Sequence, residues 1–197
     1  MAVRSLKNST LENFSNYSSS MNAGYSFNDF ELIESVFVAS NTASVTFNNL
    51  NQYATEYKHL QIRVTTRTSG GTTNEDTFLR INGDSSSNYT WHQLFGDGSS
   101  LTSLGYPSSS SMNPMVTTAA SNTSGIFSPA IIDLFDIYST TKNKTMRTFA
   151  GHNGSLGVPY ALFRSGVWRS LDLVTSITFT TGGNFVAGSR FSLYGIR

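Results

Sequence analysis

Residues 58–65, Lys58-His59-Leu60-Gln61-Ile62-Arg63-Val64-Thr65, decide the fold. Leu60, Ile62 and Val64 alternate with His59, Gln61 and Arg63. That period of two places the apolar side chains on one face of a strand and the polar ones on the other. Working outward, strand-like segments recur on both sides. Upstream they are Phe30 to Val38 and, after a turn at Asn41 and Thr42, Val45 to Phe47. Downstream they are Thr77 to Ile81, Asn88 to Phe95, Ile126 to Tyr138, Thr145 to Ala150, Tyr160 to Trp168, Leu171 to Thr180 and Arg190 to Ile196. Clusters of Gly, Asn, Ser and Asp separate them, including Asn82-Gly83-Asp84 and Gly96-Asp97-Gly98, which read as turns. About ten short strands with no helical period beyond residue 28 predict an all-β fold, an antiparallel β-sandwich that is jelly-roll-like.

Two stretches depart from simple alternation. Ala130-Ile131-Ile132-Asp133-Leu134-Phe135 is apolar on both faces, as expected of a central strand. About 18 residues from Ser99, rich in Ser and Gly, read as a surface excursion too polar for the core. The four prolines, Pro107, Pro114, Pro129 and Pro159, are expected in loops or at strand starts, where a missing N–H does least harm.

Residues 1–28 form a separate unit ahead of a sandwich domain at 29–197. They are polar, yet Leu6, Leu11, Phe14, Tyr17 and Met21 recur at spacings of three to five and line one side of a short helix. The reading is an N-terminal arm that anchors the domain on a neighbouring subunit. Arg4 and Lys7 are not followed by an apolar run, so a signal peptide is not expected.

Composition narrows the chemistry. The 197 residues hold 13 Lys and Arg against 12 Asp and Glu, a net charge of +1, which gives no field to gather nucleic acid or an anionic membrane. Polarity comes from uncharged groups: 71 residues are Ser, Thr or Asn, and charged residues are 13%. The absence of cysteine excludes disulfides, thiolate metal sites and a thiol nucleophile. His59, His92 and His152 stand apart, without metal-ligand spacing, and no nucleophile elbow is present. His152, in Gly151-His152-Asn153-Gly154, reads as a turn residue. Glu75-Asp76 reads as a polar loop before a strand, and Asp133 as a buried acid that holds a local cation or backbone N–H groups in place. No catalytic residue, metal or cofactor is therefore expected. A binding role has better candidates: Tyr89 and Trp91 share a face, and Trp168 lies beside Arg169, so the three aromatics are candidates to stack a glycan. The competing reading places the same rings in the core or a subunit interface.

Several segments together resemble a widespread family of small virion proteins, frequent in phages of aquatic bacteria. In order they are Ser5-Leu6-Lys7, Phe30-Glu31-Leu32-Ile33, Tyr57 to Arg63, Arg80-Ile81-Asn82-Gly83-Asp84 and Ser87-Asn88-Tyr89-Thr90. They continue with Thr140 to Thr145, Gly166-Val167-Trp168-Arg169-Ser170 and Phe191 to Ile196, so the likeness runs the length of the chain and is weak at Ser99 to Thr123. The resemblance implies a β-sandwich with no enzymatic activity, assembled on the exterior of a phage virion. Capsid decoration, as cement or a short fibre, is the favoured position, and a tail-fibre or tail-tip component the alternative. Expected partners are other virion proteins, copies of the chain in a homo-oligomer such as a trimer, and a host surface glycan in the tail reading.

Overall fold

A computed structural model describes residues 30–152 and 159–197. The arm assigned to residues 1–28, with Leu6, Leu11, Phe14, Tyr17 and Met21, lies outside the described residues.

Among the described residues, twelve strands follow in chain order: β1 (Phe30–Phe37), β2 (Thr42–Phe47), β3 (His59–Thr66), β4 (Asn74–Ile81), β5 (Tyr89–Gly96), β6 (Leu101–Ser109), β7 (Met112–Thr118), β8 (Ser128–Phe135), β9 (Lys144–His152), β10 (Tyr160–Trp168), β11 (Ile177–Phe185) and β12 (Arg190–Ile196). They form two antiparallel sheets, one ordered β1-β12-β3-β8-β9-β10-β5-β6 and the other β2-β11-β4-β7. Pairing β1 with β12, β2 with β11, β3 with β8 and β4 with β7 describes one long antiparallel ribbon folded over on itself. Successive rungs fall in alternate sheets, and β12–β3 and β11–β4 join them sideways. That is a jelly roll of eight strands. The hairpins β5–β6 and β9–β10 are additions, and both extend the larger sheet beyond β8.

The expected alternation is what the sandwich buries. Leu60, Ile62 and Val64 of β3, Ile132 and Leu134 of β8, and Phe191 and Leu193 of β12 meet Phe47, Leu79, Ile81, Ile177 and Phe179 of the smaller sheet. Phe191 lies against Phe179 and Phe185, with ring centroids 5.3 and 5.1 Å apart. Interior polar positions on β3, β4, β7 and β8 pair with one another: Thr66 and Thr77 both bond Thr117, and Thr118 bonds Ser128. This is how most of the interior hydroxyls are satisfied; among the described residues, the buried Thr148 hydroxyl on β9 is left without a partner.

Five expectations change. The stretch from Ser99 is not an excursion: it contains β6, an exposed edge strand, and β7, which is almost wholly buried. The apolar signal there, Met112, Met115 and Val116, is diluted by Asn113, Pro114 and two threonines that other strands satisfy. Pro107 and Pro114 lie inside strands. Each sits on an edge strand where the register shifts, which is where a strand tolerates proline. Leu171 to Ser176 is a connection, and β11 instead runs on through Gly182 and Gly183. Glu75 and Asp76 belong to β4, not to a loop before it. His152 ends β9 as a buried residue, not a turn residue.

Candidate functional site: an aromatic framework and an open sheet face

Asn82 and Gly83 both take the left-handed backbone conformation, as the Asn-Gly turn predicts. The Asn82 side-chain oxygen accepts from the Thr175 and Ser176 amides, so this turn fastens the connection leading into β11. The next residue, Asp84, accepts from the Trp168 indole N–H at 2.7 Å, the Asn88 amide at 3.0 Å and the Ser86 backbone N–H at 2.8 Å. Those donors, the indole foremost, hold its carboxyl at about 2, below the ordinary 3.8. Tyr89 stacks near Trp168, with centroids 6.4 Å apart, and its hydroxyl donates to the Ile81 and Asp84 carbonyls and accepts from the Ile81 amide. Burial pushes that phenol up to about 12.

Trp91 lies between two neighbours. The Tyr106 ring of β6 stacks on it at 4.0 Å, and the Arg164 guanidinium of β10 sits 5.0 Å from its ring centroid. Arg164 is buried. It donates to both the side chain and the carbonyl of Asn113, donates twice to Gln93, and lies 3.7 Å from the Asp76 carboxylate. Desolvation pulls this guanidinium down to about 10.

The structure therefore brings Tyr89, Trp91 and Trp168 onto one side of neighbouring strands but turns that side inward, where all three are buried. Their outward surfaces are covered by Asp84, Arg164 and Tyr106, so in this arrangement they hold the added hairpins on the jelly roll and present no open ring to a sugar. Tyr106, which had no role in the sequence reading, is the exposed member of the group.

The opposite face of the larger sheet is organised in rows. One row runs in register through Gln61, Asp133, Arg147, Ser165 and His92. Asp133 accepts from Arg147 at 2.8 Å and from Gln61 at 2.8 Å, so the acid holds a cation but at the outer surface, not in the core. Two residues further along the strands, Ile131, Phe149, Phe163 and Leu94 form a second row, each the register partner of the next. All four are exposed. β8 is thus apolar on both faces as expected, but the fold covers one of them.

No convergent chemistry accompanies this face. Among the described residues, no three His, Cys, Asp or Glu side chains gather as a metal-ligand group. Two other buried cations are tied to the backbone: Arg67 donates to the carbonyls of Ala120, Asn122, Thr123 and Ile126, and Lys144 to those of Ser139, Lys142 and Ser170. Both fasten loops. No family model, curated protein or solved structure matches the chain.

Proposed function

We propose that the protein is a non-enzymatic structural component of a phage virion, carried on the particle exterior after assembly in the host cytoplasm. Decoration of the capsid, as cement or a short fibre, is the role that fits best. One observation carries the structural reading: the outer face of the larger sheet bears an ordered row of exposed apolar side chains, Ile131 on β8 and Phe149, Phe163 and Leu94 on the added hairpins. Such a row is suited to contact with protein. The uncharged polar remainder keeps the exterior soluble with little dependence on salt, because few of its groups rely on screened charge. The resemblance of the chain to phage virion proteins supplies the setting.

In this reading residues 1–28 are the anchor. Their apolar residues are the ones to meet a capsid subunit, and they precede β1, an edge strand of the larger sheet. A tail-fibre or tail-tip position is the runner-up.

The test is antibody labelling of intact particles viewed by electron microscopy, with antibody raised against the sandwich. Label spread over the head supports capsid decoration, label confined to the tail transfers the protein to the tail, and unlabelled particles defeat the virion reading. A chain lacking residues 1–28 should fail to join the particle. Full incorporation of that chain would remove the anchor from the account.

A further inference from the structure

The two outer rows at the β8–β9–β10–β5–β6 end of the larger sheet have opposite relief. The first row holds Ile131, Phe149, Phe163 and Leu94 and ends at Ser103 of β6. The second, about 7 Å further along the strands, holds Gly151, Ala161 and Gly96 in register and ends at Leu101, with Pro129 continuing it on β8. On β9, β10 and β5 a large side chain therefore stands beside a glycine or alanine. On β6 the order is reversed, with Leu101 large and Ser103 small.

We propose that this face is a self-complementary interface that seats a second copy of the chain. A two-fold axis lying between the rows and parallel to them turns each row of one copy onto the other row of its partner, strand over like strand. One copy's Phe149 then lies over the other's Gly151, Phe163 over Ala161, Leu94 over Gly96, and Leu101 over Ser103. On β9, β10, β5 and β6 each large group meets a small one, even though the order inverts on β6, and on β8 Ile131 meets Pro129. An apolar segment of another kind has no reason to match that inversion, whereas a second copy matches it by symmetry.

The area is adequate. Ile131, Leu94, Phe163, Phe149 and Leu101 are 43%, 47%, 45%, 61% and 70% exposed. At roughly 150–250 Å² per large side chain they offer about 500 Å² of apolar surface. That lies at the upper end for a patch on a monomer, and with its surroundings it approaches the about 800 Å² per partner of a stable interface. Asp133, Arg147, Ser165 and His92 flank the apolar rows and fall on the wet rim, where a paired Asp133–Arg147 costs nothing to keep. The inference rests on reading this face as a protein contact surface and is independent of where on a particle the protein sits.

The experiment is sedimentation of the purified full chain over about two decades of concentration, for the wild type, F163D, A161F and the swap A161F/F163A. The expected result is a dimer. F163D removes the large group and A161F fills the position that receives it, so each should weaken association at least about 100-fold. The swap exchanges ridge and trough on β10 in both copies at once and should recover association to within about tenfold of wild type. Both positions point to solvent in the single chain, so the thermal midpoint of the monomer serves as the folding control. A monomer at every concentration, a trimer, a dimer indifferent to F163D, or a swap no better than A161F overturns the proposal. None of these outcomes bears on the labelling of particles, so the two ideas fail separately.

Discussion

Replacing Arg164 with methionine keeps the stem that packs beneath Trp91 and removes the guanidinium. Asn113, 2% exposed, then loses the donor to its side chain, a penalty of about 1–3 kcal/mol for a buried acceptor left without a partner. The two bonds to Gln93 disappear as well, at about 1 kcal/mol for a half-buried amide that water can partly serve. The loss of a desolvated cation over the Trp91 ring adds about 1–2 kcal/mol. Set against these, the variant no longer desolvates a charge, which returns about 1–2 kcal/mol. The net expectation is a loss of about 3 kcal/mol. Urea unfolding followed by tryptophan fluorescence should show it, because Trp91 is one of two tryptophans and lies at the lesion. With a urea dependence of about 2 kcal/mol/M, the midpoint should fall by about 1.5 M. Arg164→Lys keeps charge near Asp76 but not the planar fork, and should recover at most about half of the loss. A midpoint shift below about 0.3 M for Arg164→Met, or full recovery by lysine, would refute the view that the hairpins are fixed by this hydrogen-bonded fork.

Acid should reach the structure first through two groups. Asp84 titrates lower in the fold, at about 2, than the ordinary 3.8, so its stabilisation is complete above the ordinary value and is lost as pH falls through the folded one. Asp84→Asn should flatten thermal stability across that window and cost about 1 kcal/mol at neutral pH, a figure reduced for partial solvent access. Burial holds the His152 imidazole below its ordinary 6.5, so the unfolded chain takes up the proton first. Stability should be full above 6.5 and decline as pH falls through the folded value, and thermal scans of His152→Gln should lose that part of the slope. Arg67→Met should remove the donor that four carbonyls between Ala120 and Ile126 share, destabilise the chain by about 2–4 kcal/mol and raise amide exchange in residues 119–126 more than in β3.

Period-two patterning specifies which side chains share a face, and it does so locally. Leu60, Ile62 and Val64 and the aromatic pair Tyr89 and Trp91 were legible for that reason, as was the Asn82-Gly83 turn, whose backbone requirement is carried by the residues themselves, whereas Asp133, read as a buried acid, lies on the outer face. The all-β class followed from repetition of the same signal. What partners each face is a property of register between strands distant in sequence, which no local window contains. Hence Met112 to Thr118 hid as a polar stretch, although its threonines are satisfied only by Thr66, Thr77 and Ser128 on other strands. Arg67 and Arg164 carried no signal at all, since their acceptors are mostly carbonyls and amides that every residue or many residues supply. The same limit applies to the surface. Sequence marked Ile131, Phe149, Phe163 and Leu94 as apolar positions on four separate strands. Only the antiparallel register set them side by side, next to smaller residues on β9, β10 and β5, because among the described residues the fold covers one face of the larger sheet and not the other.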